Sequence, residues 1–307
     1  MKDLKDGAIV MPNGLKYISL PCPICNSNRY KVLYPDTLGS DLPRFGYDFS
    51  PEHNRTYRIV QCMDCAHGYA SPLPEKLWEK YEDVEDPVYL SNSEQRTITA
   101  AKVLKRIRSY SSRHGRLLDI GCGTGDFMLS AREFYDVEGV ELSRWSADIA
   151  RAKGLKVFDR QLHELTNNEY YDVVTLWGVI EHFEDPRREI ENIRRLMKPG
   201  GSVCLWTGDI DSFPSRLLGR KWWWVQGQHI QLFSRKSLLR LFSEQYFKTI
   251  YFGMYPYVMS MRSIAKSLER YKTAGRLANN ILTQPFIQNI NMKISLPGEM
   301  FAIFKKM

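Results

Sequence analysis

The stretch RLLDIGCGTGDF, Arg116–Phe127, together with Glu141 at the end of VEGVEL, decides how this chain is read. Leu117, Leu118 and Ile120 form the short apolar run that a central parallel strand, buried on both faces, requires. Gly121, Gly123 and Gly125 then leave the backbone bare, so the chain can turn sharply and a ligand can approach it closely. Glu141 stands twenty residues beyond Gly121, where a carboxylate can accept hydrogen bonds from both hydroxyls of a ribose. A strand, a glycine turn, a helix start and an acid at the tip of the next strand make a site for the adenosine half of a cofactor.

The glycine spacing narrows the choice of cofactor. A nicotinamide site carries G-x-G-x-x-G, whereas the glycines here run G-C-G-T-G, Asp119 lies two residues before the first, and no basic residue within the turn could meet a pyrophosphate. The stretch resembles motif I of the class I S-adenosylmethionine (SAM) methyltransferases, whose cofactor has no phosphate and carries a sulfonium cation. Three later stretches resemble the same family. YDVVTLWGVIEHFEDP (Tyr171–Pro186) is similar to its fourth strand and following loop, RRLMKPGGSVCLW (Arg194–Trp206) to its helix end, turn and fifth strand, and HIQLFSRKSLLRLF (His229–Phe242) to the histidine and helix of many small-molecule members. The resemblance covers roughly Gly115–Tyr255, with a last strand at Met300–Lys306.

The resemblance implies an α/β fold, a Rossmann-like seven-stranded sheet with helices on both faces, over residues 91–307, with a basic helical insertion at 258–295. It also assigns the cofactor contacts. The methionine end rests against Gly121, Cys122, Gly123 and Gly125 with Asp119 beside it, and the ribose goes to Glu141 with Leu142 adjacent. Adenine lies by Gln161 and Leu162, and Trp177 ends the fourth strand next to the cleft or else packs in the core. Ser91–Ser112 reads as a helix joining this domain to what precedes it. Its stripe Ala100, Val103, Leu104 and Ile107 faces the sheet, Lys102, Lys105 and Arg106 face away, and Ser91-x-x-Glu94 offers a capping box.

Residues 1–90 carry a second signal. Cys22-Pro-Ile-Cys25 and Cys62-Met-Asp-Cys65 have the paired spacing of a structural zinc site, in which two C-x-x-C turns complete a tetrahedron. A segment this small has little apolar core, and a closed four-sulfur site would supply much of its folding energy. A pair of redox dithiols is the competing reading, but no thioredoxin-like strand–helix pattern surrounds either pair. His67 could replace one thiol, but reads more simply as a loop residue. The text that follows, with Pro72, Pro74, Trp78, Tyr81 and Tyr89, resembles the zinc-ribbon leader of bacterial methyltransferases that act on sugars and cell-envelope glycans.

The acceptor side is drawn from fewer residues. His229 is the first candidate for a general base and His182 the second, since imidazole titrates near neutrality. In some quinone-pathway relatives an acid–His pair after strand four contributes to a metal site, so Glu181 and His182 could serve in that way. Asp209 and Asp211 either orient an acceptor hydroxyl or cap a turn. In Lys221-Trp222-Trp223-Trp224, indole faces suit the apolar face of a sugar ring or a prenyl chain, or else plug the core.

Composition bounds the rest. The chain has 307 residues and a formal charge of +8, and from Val258 onward eight Lys or Arg face only Glu269 and Glu299. Met261, Ile264, Ala265, Leu268 and Tyr271 recur at helical spacing among Arg262, Lys266 and Arg270, which suits an insertion packed on its own sheet, a helix lying on an anionic membrane, or one that meets a nucleotide diphosphate or an RNA backbone. No signal peptide or membrane-spanning run is read, so the expected location is cytoplasmic, with peripheral contact at the inner face of the membrane as an option. The expected activity is SAM-dependent methylation of a hydroxyl on a sugar, glycan or related envelope intermediate, free or lipid-linked. An RNA methyltransferase with a zinc-knuckle grip and a non-catalytic SAM-binding scaffold are the alternatives. The leader is not notably basic and the Asn-Pro-Pro-aromatic signature of base methylation is absent, which disfavours nucleic acid.

Overall fold

The structure, a computed structural model, describes residues 8–10, 16–47, 51–268, 271, 275 and 279–307. Seven strands form its central sheet: β1 (Arg116–Ile120), β2 (Asp136–Val140), β3 (Lys156–Phe158), β4 (Tyr171–Trp177), β5 (Met197–Gly208), β6 (Phe247–Gly253) and β7 (Glu299–Lys306). Their order is β6-β7-β5-β4-β1-β2-β3. Strands β1 to β5 pair in parallel, and β7 runs antiparallel between β5 and β6.

The strands' residues alternate between two covered faces, which explains the unbroken apolar runs in their sequences. Leu117, Val173, Cys204, Phe301 and Ile303 pack with Val103, Leu104 and Ile107 of the helix Ser93–Tyr110. Leu118, Val174, Val203, Leu205, Ala302 and Phe304 pack on the other side, against the helices Pro186–Leu196 and Arg235–Glu244. The bridging helix is shorter than Ser91–Ser112. Ser91 does not cap it, because its Oγ donates to the Val88 carbonyl at 2.7 Å and closes the preceding turn, Pro87–Leu90. Asn92 takes the cap position without a side-chain bond to the helix backbone, and its Oδ1 instead accepts the Ser263 hydroxyl at 2.8 Å. The stripe itself is as expected: Ala100, Val103, Leu104 and Ile107 are buried, while Lys105 and Arg106 are exposed.

The cysteine-bearing segment is built into the same body. Tyr30–Tyr34, Ile59–Cys62 and Gly68–Ala70 form an antiparallel sheet whose fourth strand is Gln231–Leu232, just beyond His229. His67 is fully buried at this junction, with Nε2 2.8 Å from Gln231 Oε1 and Nδ1 3.3 Å from Ser237 Oγ. It lies in the loop between Ile59–Cys62 and Gly68–Ala70 but is buried there as a core histidine, and burial pushes its pKa down to about 4.

Before β7, Tyr257–Ser260 pairs antiparallel with Asn291–Ile294 and flanks the helix Met261–Leu268. The aromatic and β-branched pair Tyr257-Val258 favours this extended start, and Val258 N anchors it by donating to Thr99 Oγ1 at 2.9 Å. Arg270 lies outside the described residues. Among the described residues no helix is long and apolar enough to cross a membrane.

Candidate active site

The glycine turn follows β1 directly. Gly121, Gly123 and Gly125 have φ of +65°, +53° and +81°, a region that L side chains enter only at a cost of roughly 1–2 kcal/mol. At Gly121 space is short as well, since a Cβ there would lie 2.5 Å from Val179 Cγ2. Asp119, at the end of the strand, is 1% exposed and accepts the Thr175 hydroxyl at 2.6 Å. Burial pushes its carboxyl up to about 7 against the pull of that hydrogen bond.

Glu141 is buried too, but its acceptor directions are mostly taken. Oε2 accepts Gly123 N at 2.8 Å, while Oε1 accepts Ser143 N at 2.9 Å and the Tyr47 hydroxyl at 3.1 Å. A carboxylate offers about four lone-pair sites, so one remains for a ribose hydroxyl and a second opens only if Tyr47 moves away. Burial raises the Glu141 pKa, and the backbone donors Ser143 and Gly123 work against that rise. Where the sequence resemblance expects adenine, Gln161 Nε2 is buried with no hydrogen-bond partner among the described residues and lines the cavity beside Leu162. An orphaned donor at this place fits a heterocycle that offers acceptor nitrogens.

Aromatic residues from the first ninety positions cover this cradle. Tyr47 and Tyr89 pack with ring centroids 4.7 Å apart, and a Cβ on Gly123 would come within 3.3 Å of the Tyr89 hydroxyl. Arg96 sits 3.6 Å from the centre of the Tyr89 ring and pairs with Asp126 at 2.6 Å. Lys153 reaches the same carboxylate at 3.1 Å. Asp126 was missed in the sequence reading. Burial alone would raise its pKa, but Arg96 and the other donors hold it below the usual range.

One continuous cavity of about 910 Å³ joins this cradle to the loop after β4. It is lined by Asp119, Gly121, Cys122, Glu141, Leu142, Gln161, Leu162 and Trp177, and also by Glu181, His182 and His229. The three last residues converge, each offering a ligand atom within 4.8 Å of the others. His229 Nδ1 lies 2.9 Å from the Trp224 carbonyl, and His182 Nδ1 lies 3.0 Å from the Gln228 carbonyl and 2.7 Å from the Tyr81 hydroxyl. A carbonyl can only accept, so the Trp224 contact puts a proton on His229 Nδ1 and leaves Nε2 as its basic nitrogen, whereas His182 Nδ1 faces both a carbonyl and a hydroxyl that can donate or accept. Burial pushes the His182 pKa down to about 4, which keeps that ring neutral. Glu181 is 1% exposed, and Oε2 accepts the Thr207 hydroxyl at 3.1 Å. Its Oε1 has no hydrogen-bond partner among the described residues, and burial pushes the carboxyl up to about 8.

Other sequence candidates fall into place around these groups. Trp222 is 1% exposed and fills the core beside Tyr57, while Trp223 and Trp224 line the cavity. Asp209 Oδ1 accepts Asp211 N at 3.0 Å and Arg235 N at 3.3 Å, so it caps a turn and a helix start. Ile264, Leu268 and Tyr271 line the cavity, so the insertion supplies part of its roof.

The four cysteines form a separate cluster. Cys22 Sγ lies 3.6 Å from Cys65 Sγ, and Cys25 Sγ lies 3.5 Å from Cys62 Sγ. A zinc tetrahedron with bonds of about 2.3 Å has sulfur–sulfur edges of roughly 3.8 Å, so the contacts across the two knuckles suit one ion. They are too long for disulfides, whose sulfurs lie about 2.05 Å apart.

A sequence profile of the methyltransferase domain matches residues 93–251, just over half of the 307-residue chain. The chain belongs to the methyltransferase-domain family. The matched span of this SAM-dependent methyltransferase domain includes β1 to β5, the glycine turn, Glu141, the Glu181–His182 pair and His229. An uncharacterised protein of Methanocaldococcus jannaschii is 35% identical over 108 residues, covering 35% of this chain and 51% of that protein. The ubiquinone biosynthesis O-methyltransferase of Vibrio cholerae serotype O1 is 35% identical over 97 residues, covering 29% of this chain and 40% of the enzyme. The chain thus spans about half the length, or less, of these curated relatives. A SAM-dependent methyltransferase structure from Archaeoglobus fulgidus superposes with a TM-score of 0.50 at 18% identity, covering 72% of this chain and 100% of that one. That likeness concerns the fold.

Proposed function

We propose that the protein transfers a methyl group from SAM to a hydroxyl of a sugar, glycan or related small molecule. The observation that carries this reading is the continuity of the cavity, which runs from the ribose acid Glu141 to Glu181, His182 and His229. The cofactor, when bound, supplies an electrophilic methyl group on a sulfonium. The chain's own residues hold, align and exclude water. Asp119, the glycine turn and Glu141 fix the cofactor's position, and fixing two reactants in register is worth on the order of 7–11 kcal/mol. Tyr47 and Tyr89 cover the cradle and keep water out.

His229 Nε2 is the base that takes the hydroxyl proton as the methyl group moves, and its Nδ1 bond to Trp224 fixes the tautomer that this task needs. A hydroxyl acceptor agrees with the Vibrio cholerae relative, an O-methyltransferase. A sugar-like acceptor is supported by the indole and phenol walls of the cavity, which suit the apolar faces of sugar rings. The four thiols hold a structural zinc that fixes the leader.

A second reading has one observation in its favour: the three convergent ligand atoms of Glu181, His182 and His229 could hold a divalent ion that binds the acceptor oxygen. Metal analysis separates the two, because zinc at the thiols alone gives about one ion per chain and the second reading gives about two. The base assignment is tested with His229→Ala, which should keep its affinity for S-adenosylhomocysteine (SAH) and slow turnover by about 10²-fold or more. Wild-type turnover in that variant would return His229 to a packing role.

A further inference from the structure

The acceptor end of the cavity is walled by aromatic rings around two buried carboxylates. Trp206 stacks on Tyr255 with centroids 4.7 Å apart and meets Trp224 and Tyr257 edge-on at 5.1 and 5.2 Å. Behind these rings lies Glu299 from the start of β7, 5% exposed. Its Oε1 accepts the indole N–H of Trp223 at 2.9 Å and of Trp224 at 3.3 Å, with the Tyr257 hydroxyl at 3.5 Å. Its Oε2 accepts the indole N–H of Trp206 at 2.9 Å. An indole that donates to a carboxylate presents a more electron-rich face, which strengthens its attraction for a cation.

Glu181 is the second carboxylate, and its orphaned Oε1 lies close to this wall. A Cβ on Gly178 would lie 3.4 Å from that oxygen and 3.2 Å from the Trp206 ring. Neither Glu181 nor Glu299 has an ion-pair partner among the described residues, although every residue named here except Gly178 is a ring or an acid. A buried carboxyl oxygen with neither a hydrogen bond nor an ion pair is costly, and Glu181 Oε1 has neither among the described residues. Sugar stacking alone accounts for the rings but not for the acids.

We infer that this chamber binds a cationic amino group, so that the acceptor is an amine-bearing sugar or glycan unit whose ammonium rests on the Trp206, Trp223 and Trp224 wall and on Glu181. The inference rests on the proposed methyl transfer only in calling the ligand the acceptor; the cation site stands on the chamber itself. A bound ammonium would favour the charged form of both carboxyls.

The test uses the full chain at pH 8.5 with two isosteric probes, choline and its neutral carbon analogue 3,3-dimethyl-1-butanol, followed by tryptophan fluorescence with and without SAH. Choline should bind at least about tenfold more tightly than the alcohol. Glu181→Gln should abolish most of that preference while SAH affinity, measured by calorimetry, is retained. Trp223→Leu, at a half-buried position, should weaken choline as well. Equal affinity for the two probes, or a preference that both variants leave untouched, overturns the inference. Displacement of choline by equimolar magnesium would also overturn it and assign the chamber to a metal ion. Failure of SAH to bind would instead count against the cofactor site, whatever choline does.

Discussion

Replacing Glu141 with glutamine should weaken SAH binding by about 10- to 100-fold while the protein stays folded. The carboxylate accepts three protein donors, Gly123 N, Ser143 N and the Tyr47 hydroxyl. That leaves one acceptor direction for the ribose. A hydrogen bond to a charged acceptor contributes about 1.5–3 kcal/mol, and each 1.4 kcal/mol is tenfold in affinity. An amide also places a donor against either Gly123 N–H or Ser143 N–H, and one backbone donor left unpaired costs about 1–3 kcal/mol of stability. The variant should therefore melt lower than wild type and still unfold cooperatively. Titration calorimetry with SAH, below the melting transition of both proteins, reads the effect. Tyr47→Phe is the companion variant. It frees a second acceptor direction on Oε1 without removing the ring, and so should leave SAH affinity unchanged or raise it. A folded Glu141→Gln protein with wild-type affinity would refute the ribose assignment.

Three further outcomes are expected. Gly121→Ala combines a left-handed φ with a contact against the stiff, β-branched Val179, two residues before Glu181; it should lower stability by about 1–3 kcal/mol and SAH affinity together, as thermal melts and calorimetry will show. Purified protein should contain about one zinc by atomic emission, and Cys62→Ser should lose it and melt roughly 5–10 °C lower. Glu181 is raised from an ordinary 4.5 to about 8, so its favourable contribution is fully present below about pH 4.5 and is lost as pH rises through about 8. Glu181→Gln should accordingly flatten the fall in melting temperature between pH 5 and pH 8, and an unchanged slope would assign the pH dependence to other groups.

The glycine turn and Glu141 could be read from sequence because their constraints are local. A positive φ needs glycine wherever the turn occurs, and an acid at the tip of β2 follows from the strand spacing. The alternation of β1, β4 and β5 between two covered faces was equally visible as apolar runs. What closes the cavity was not. Tyr47, Tyr81 and Tyr89 reach Glu141, His182 and Gly123 through folding of the leader over the sheet, and nothing in their own neighbourhood announces those partners. Gln231–Leu232 joining the leader's sheet is a pairing across more than 160 positions, for which two residues carry no periodicity. Glu299 carried one faint sign, an acid directly before the apolar run MFAIF. Its partners Trp206, Trp223 and Trp224 come from β5 and the loop beyond it, so only the fold brings them together. Ser91 shows the opposite error: its local pattern fitted a capping box, but the preceding turn uses its hydroxyl first.

The most direct test of the account is transfer of label from methyl-labelled SAM by the purified full chain, incubated with a small-molecule and glycan extract of the source cells. Label is expected in sugar-containing material, resistant to nuclease and protease, and dependent on His229. Label found only in nuclease-sensitive material, or no transfer to any fraction by protein that binds SAH, would contradict it.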